Sequence, residues 1–226
     1  MSRTRLIALL VLVGAVAACG APVVPTPTLA PRLTLSVPIP TTNKSVILAA
    51  VDVLSERLRS LGVGNVSSSS GTSLTFEVPF DGTVDRATID AALRTPGVVS
   101  VIGWTGEDGD PPQAGDPAPI GGTSVFDAAQ ITSGSVVKPS EAGGNPGVEI
   151  TLDSAGTQAL ATWSKAHIGD YLVVVVDGTV LDSAMVMSDL ADGQVVLSFP
   201  AGTSIRPEVI AAILSSGPLP PGWIAP

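Results

Sequence analysis

The sequence predicts an α+β protein that is built from two units. Short runs of alternating apolar residues, typical of strands, are interleaved with longer segments whose apolar residues recur every three or four positions, as in helices. The chain has 226 residues, enough for one large or two small domains. Its 24 glycines and 20 prolines supply many turns and linkers between these elements.

The N-terminal residues 1–18 have the layout of a signal peptide. Arg3 and Arg5 precede an apolar run that is too short to be a comfortable membrane-spanning helix. The run ends in Val-Ala-Ala-Cys, and Cys19 is the only cysteine of the chain. A small-residue cleavage site that ends on cysteine resembles the lipobox of bacterial lipoproteins. We therefore expect Cys19 to carry lipid and to anchor the protein to the extracytoplasmic face of the cell membrane. A plain signal peptide with a chance cysteine is the alternative.

The first folded unit is predicted over residues 32–104, after a proline-rich, uncharged tether at 19–31. A strand in "RLTLSVPI" precedes the helix "TNKSVILAAVDVLSERLRSLG", which Thr42 or Asn43 caps and Gly62 closes. Strands in "VGNVSS" and "SLTFEVPF", a second helix in "TVDRATIDAALRTPG" and a strand in "VVSVIGW" follow. This β-α-β-β-α-β order is that of the ferredoxin-like fold. The apolar positions of the first helix are Ile47, Ala50, Leu54, Leu58 and Leu61.

An acidic segment rich in glycine and proline, residues 105–123, is predicted to be a flexible linker. Its carboxylates raise the alternative of a calcium site. Their spacing does not fit the alternating D-x-D-x-D-G loop with a terminal glutamate, so we expect no metal. The acidic residues of the segment are Glu107, Asp108, Asp110 and Asp116.

The second unit is predicted over residues 124–220, with a short tail at 221–226. "GVEITL" is a strand, and the helix after it begins at the N-cap Asp153. "DYLVVVVDGTVLDSAMVM" predicts a hairpin, because Asp-Gly suits a tight turn with positive φ. "GQVVLSF" predicts a further strand. The last helix, "SIRPEVIAAILSSG", has Pro207 in its first turn and a glycine after its end.

The residues of the chain give little support to catalysis, so we expect no enzymatic activity and no cofactor. His167 is the only histidine and lies at a predicted helix end, where a structural role is expected. Ser135 and Lys138 match the S-x-x-K spacing of serine β-lactamases, but the surrounding valines predict a strand, which would separate the two side chains. No catalytic or metal-ligating residue is assigned.

Four aspartates near the hairpin are the remaining catalytic candidates, since paired carboxylates can serve as acid and base. Each also has a structural explanation at a turn or on a solvated strand edge. The four are Asp177, Asp182, Asp189 and Asp192. The formal net charge of −9, with only 11 basic residues and no basic patch, excludes nucleic acid as an expected partner.

Residues 147–220 resemble the head subdomain of the first periplasmic domain of SecD. The resemblance consists of a strand followed by "AGTQAL", the D-G-x-V of "YLVVVVDGTV", the glycine turn in "LADGQVVL" and the L-x-S-G-x-L-P of "ILSSGPLP". The segments "SVILAAVDVLSERLRSLGV" and "LTFEVPF" are similar to the base of the same domain. The matching motif positions are Asp177, Gly178, Val180, Gly193, Gly217, Leu219 and Pro220.

The resemblance implies a domain that projects from the outer face of the membrane, catches an emerging polypeptide and moves with a proton-driven membrane part. No further membrane-spanning segment is apparent in the sequence, so we expect a stand-alone lipoprotein without that motor. The family's small-Ala-Pro triplet after D-G-x-V-x is Asp182-Ser183-Ala184 here.

The expected partners are exported polypeptides or translocon components, bound through apolar grooves and strand edges. An envelope lipoprotein that binds a small ligand or has a structural role on the same fold is the alternative.

Overall fold

A computed structural model describes residues 32–63, 67–79, 82–137, 144–199 and 206–223. The predicted signal peptide, the tether and Cys19 lie outside the described residues. The strands are β1 (Arg32–Pro38), β2 (Ser67–Ser70), β3 (Ser73–Pro79), β4 (Val99–Trp104), β5 (Thr123–Asp127), β6 (Ile131–Val137), β7 (Gly147–Leu152), β8 (Tyr171–Val176), β9 (Thr179–Met185) and β10 (Gln194–Ser198). The helices are α1 (Lys44–Ser60), α2 (Arg86–Arg94), α3 (Ser154–Ala166) and α4 (Pro207–Ser216).

The helices follow the capping signals of the sequence. Asn43 caps α1 through its side-chain oxygen, which accepts a hydrogen bond from the Ser45 amide. Asp153 caps α3 in the same way, through the Gly156 amide. Helix α4 has proline at its first position, and Gly217 follows its last residue, as predicted. These N-terminal caps provide partners for amides that have none inside the helix.

The first sheet has the order β1-β3-β2 and is antiparallel throughout. Helices α1 and α2 cover it with the apolar residues that the sequence periodicity predicts. Ala50, Leu54 and Leu58 of α1 are fully buried, as is Phe76 of β3. The mixed α+β class is therefore confirmed.

The ferredoxin-like arrangement predicted for residues 32–104 is not confirmed, because β4 does not join β1. It pairs instead with β5 and β8 in a second sheet of order β5-β4-β8-β9. Strand β8, "LVVVV" after Tyr171, is buried on both faces, which is typical of a central strand with neighbours on both edges. The two neighbours of β8 are β4 and β9. Residues 32–104 therefore have the element order β-α-β-β-α-β, but their four strands do not form a single sheet.

The third sheet has the order β10-β7-β6, and α4 connects it to the first part of the chain. Helix α4 packs on β6 and β7 and also on α1 and α2. It is buried nearly all round, from Val209 to Leu214, as expected of a helix in the middle of a core. Trp223, in the predicted tail, is also buried. Within the described residues, the larger apolar cluster includes members of all three sheets and all four helices.

The segment 105–123 lies along the outer edge of β9. The Ala118 amide donates to the Gly178 carbonyl, the Gly115 amide to the Val180 carbonyl and the Val180 amide to the Asp116 carbonyl. Asp108 closes a local turn by accepting from the amide and hydroxyl of Thr105, and these hydrogen bonds lower its pKa. The first half of β9 is therefore covered.

Among the helices that the structure describes, none is both long enough and apolar enough to cross a bilayer.

Candidate functional site

The Asp177-Gly178 turn connects β8 to β9 and also binds a segment that is distant in sequence. Asp177 has φ of 51° and Gly178 of 78°, the positive values that a tight hairpin turn needs. The Asp177 carboxylate accepts hydrogen bonds from the amides of Gly97 (3.1 Å) and Val98 (2.8 Å). Its own amide donates to the Val98 carbonyl. The turn is therefore fixed to the segment that connects α2 to β4.

Arg57 of α1 is fully buried beside the same segment. Its guanidinium donates to the carbonyls of Ala92 (2.8 Å), Thr95 and Pro96 (3.0 Å). Burial lowers the pKa of Arg57 to about 10, against the opposing attraction of Asp177, so the side chain is still protonated at neutral pH. A protonated guanidinium is needed to supply all of these hydrogen bonds.

The C-terminal motif, which includes Gly217, Leu219 and Pro220, also binds Arg57 and the segment beside it. The guanidinium donates to the Gly217 carbonyl (3.1 Å) and, through Nε, to the Ser216 hydroxyl (3.1 Å). The Leu219 amide donates to the Pro96 carbonyl (2.8 Å), and Pro220 accepts from the Trp223 amide. The hairpin motif and the C-terminal motif therefore converge on residues 95–98 and Arg57, which we call the junction.

The remaining motif positions also have packing roles. Gly193 has φ of 72°, and a Cβ there would lie 2.3 Å from the Thr157 hydroxyl of α3. Its carbonyl accepts from the Leu152 amide, which begins the β7–β10 pairing. Val180 is buried with Trp104, Val173 and Val175 in a second apolar cluster. These family positions thus contribute to the packing of the fold.

An apolar groove lies between the second and third sheets and opens beside the ends of β9 and β10. Its cavity volume is about 230 Å³. Its floor is formed by Val101, Phe126, Ile150 and Val174, and its mouth by Ala184, Met185, Met187, Leu190 and Val196. We call this the groove.

The mouth of the groove exposes flexible apolar side chains. Met187 is 79% exposed, Met185 48% and Val196 40%. Methionine adapts its shape to different apolar surfaces, which suits sites that accept varied sequences. Ala184, where the family often has proline, also lines the mouth. Three of the exposed large apolar side chains of the described residues thus lie together at an opening into the core.

Strand β10 presents a partly open edge at this mouth, because the side chains of Asp192 and Asp182 accept from the outward-facing amides of Gln194 and Ser198. It lies at the end of its sheet, with β7 on one side and, among the described residues, no strand on the other. Amide groups of successive strand residues point to opposite edges. Because Gly193 pairs with β7, the amide and carbonyl of Val196 point away from β7. The amide and carbonyl of Val196 can therefore pair with an extended polypeptide.

Asp182, in the middle of β9, connects that strand to the end of β10 beside the groove. Its carboxylate accepts from its neighbour's amide, Ser183 N, at 2.8 Å and from the amide of Ser198 in β10. Burial raises the pKa of Asp182, partly offset by these two amides. Asp182 is therefore half-buried, in contrast to the solvated position that the sequence suggests. Asp177 and Asp182 bind different backbone amides and are not brought together as an acid–base pair.

The other candidate residues occupy structural positions. Ser135 lies in β6 rather than at a helix start, and Lys138 lies outside the described residues. His167 ends α3, stacks on Trp163 with ring centroids 4.5 Å apart and contacts Asp170 at 3.1 Å. Among the described residues, no group of three or more histidine, cysteine, aspartate or glutamate side chains could hold a metal ion.

The arrangement of strands and helices is found in solved structures of SecDF. One, described as "Structure and function of a membrane component SecDF that enhances protein export", has a TM-score of 0.59 and 19% identity, over 83% of this chain and 95% of that chain. Another, "Crystal structure of SecDF in Super-membrane-facing form", has a TM-score of 0.61 and 19% identity, over 84% of this chain. This chain spans only 28% of that SecDF chain.

The family follows from the sequence profile of the SecDF P1 head subdomain, which matches residues 108–221. That match covers just over half of the 226 residues, and the chain belongs to this family. No curated protein matches the chain.

Sequence reasoning did not single out Arg57 or the methionines of the mouth. The sequence contains a signal for Arg57, because this charged residue lies on the same face of α1 as the buried residues Leu54 and Leu58. Met185 and Met187 follow the hairpin motif directly but have no distinctive spacing. The family motif indicated the hairpin; the groove beside it is formed by strands that are distant in sequence.

Proposed function

We propose that the protein is a membrane-anchored extracytoplasmic accessory of protein export, without enzymatic activity, that binds unfolded exported polypeptides in the groove. The observation that carries the proposal is an apolar cavity that opens beside the outward-facing amide and carbonyl of Val196 in the edge strand β10, with exposed methionines at its mouth. A strand edge supplies backbone hydrogen bonds that do not depend on sequence, and the cavity accepts apolar side chains.

The size of the cavity suits a few side chains of a polypeptide. Small-molecule sites usually enclose about 300–1,000 Å³, more than the volume of about 230 Å³ found here. Burying two apolar side chains contributes about 3–6 kcal/mol, and much of this is offset by the entropy cost of association. We therefore expect a weak affinity, which allows an exported polypeptide to leave the groove again.

Support also comes from the relatives. The SecDF structure that shares this fold is described as that of a membrane component that enhances protein export. The present chain shares the head subdomain family, and we propose a related role in export, with translocon components as further partners. The motor action of SecDF is not part of the proposal.

Lipid on Cys19 is the proposed anchor, with residues 20–31 as an extended tether. Replacing Cys19→Ala should release the protein from membranes or stall removal of the signal peptide. Membrane fractionation and mass spectrometry of the full chain test this. An unchanged mass and unchanged membrane association would refute the anchor.

Site-specific photo-crosslinking in cells tests the proposed binding. A photoreactive amino acid at Met187 should form crosslinks to secretory chains during export. The matched control is Ile120, which is fully exposed but does not line the groove. Equal crosslinking from both positions, or none from Met187, would contradict the proposal. The alternative of a small-ligand lipoprotein would be favoured instead if a metabolite raised the melting temperature and Met187→Glu abolished that effect.

A further inference from the structure

The groove is bordered by charges of one sign. No lysine or arginine occurs between Lys165 and Arg206, a stretch that includes β8, β9 and β10. The aspartates of the stretch are Asp170, Asp177, Asp182, Asp189 and Asp192. Asp170 contacts His167 and Asp177 is held in the junction, which leaves the other three at the groove.

These three aspartates, which we call the acidic rim, are adjacent to lining residues. Asp189 is exposed between Ser188 and Leu190, both of which line the groove. Asp192 is exposed and accepts from the amide of the lining residue Gln194 (3.2 Å). Asp182 pairs in register with the lining residue Val174 of β8. None of the ion pairs among the described residues involves the rim, so its negative charge is not compensated by a basic side chain there.

We propose that the groove selects extended apolar segments that are flanked by lysine or arginine. This inference rests on the proposed function of the groove and adds the class of segment that it prefers. Uncompensated carboxylates around an apolar site attract cationic flanks and repel acidic ones, which sets specificity and association rate more than total affinity. The apolar groove supplies binding to any such segment, and the rim discriminates among them.

A second copy of this chain is a poorer occupant on the same grounds. Each copy carries a formal net charge of −9, and two grooves that faced each other would bring two acidic rims together. Like charges placed opposite each other across an interface oppose association. We therefore expect the full chain to remain monomeric through this face.

The test uses the full chain in nanodiscs of zwitterionic lipid, which keep detergent out of the groove and do not attract cationic peptides. Three fluorescent peptides share an alternating Val-Thr core and carry lysine, serine or glutamate at both ends. Fluorescence anisotropy should give dissociation constants in the order Lys, Ser, Glu, with about a tenfold difference between the extremes at low salt. High salt should reduce the difference, because exposed charges are screened.

A double variant, Asp189→Asn with Asp192→Asn, should reduce the preference for lysine several-fold. Asparagine also suits the Asp192-Gly193 turn, so the fold is expected to be retained. The matched control is Asp52→Asn, an exposed aspartate of α1, which should leave the preference unchanged.

The outcomes separate this inference from the proposed function. If all three peptides bind equally and Met187→Glu abolishes binding, the groove binds polypeptide but the charge preference is wrong. The same holds if the lysine preference persists in the double variant. If no peptide binds, the proposed function fails and the inference fails with it. Dimers whose formation depends on Met187, seen by light scattering, would show that a second copy is the occupant.

Discussion

Replacing the buried Arg57 by methionine is expected to destabilise the protein strongly. The substitution keeps a long apolar stem and removes the donors that bind the carbonyls of Ala92, Thr95, Pro96 and Gly217. Leaving a buried polar group without a partner costs about 1–3 kcal/mol. Some carbonyls will find water, and the cost of burying the guanidinium is recovered. We expect a net loss of about 3–5 kcal/mol in the free energy of unfolding.

Urea unfolding followed by tryptophan fluorescence measures this loss. Arg59→Met is the matched control, since Arg59 lies two residues away on α1 with an exposed side chain paired to Glu56, and such surface changes usually fall within about 0.5 kcal/mol. Arg57→Lys should fall between the two, because an ammonium group has only three donors. A loss below about 1 kcal/mol for Arg57→Met would refute the assignment of the junction to this arginine.

Three further substitutions test the turns and the half-buried acid. Asp177→Ala should cost about 2–3 kcal/mol, because it strains a residue with φ of 51° and frees two amides; Asp177→Asn should cost less, and equal losses would contradict this account. Gly193→Ala should destabilise through its φ of 72° and its approach to Thr157; Thr157→Ala in the same chain should recover part of the loss, and no recovery would exclude the clash. Asp182→Asn should raise stability at neutral pH. Because the folded pKa of Asp182 is raised, its favourable contribution is present below the ordinary aspartate pKa and is lost as the pH rises through the folded value. The advantage of the variant in thermal melts should therefore shrink as the pH falls, and an advantage that is constant with pH would contradict the raised pKa.

The local elements of the fold were predictable from short stretches of sequence. The cap Asp153, the hairpin at Asp177-Gly178 and Gly217 after α4 all occur where the residue pattern places them, and Asn43 is one of the two caps that the pattern allows for α1. Each depends on the backbone preferences and hydrogen bonds of a few neighbouring residues, which the sequence displays directly. The motif positions of the sequence also indicate the head subdomain family.

The partners of these elements were not predictable in the same way. The Asp177 carboxylate binds amides 79 and 80 positions earlier in the chain, and β4 pairs with β8 instead of β1. Pairing of this kind is decided by which strand is buried on both faces and which edges remain open, properties of the assembled sheets. Local periodicity contains no information on that choice.

The sequence by itself determined the class of the protein, its helices and hairpin, its acidic charge and its family resemblance, because these depend on composition and on interactions between near neighbours. Only the tertiary structure decided the junction around Arg57, the groove with Met185 and Met187 at its mouth, and the place of Asp182 beside it. These features arise where segments far apart in sequence pack together. The physical reason is that a cavity, a buried hydrogen-bond network and an open strand edge are defined by what the rest of the fold fills, satisfies or covers.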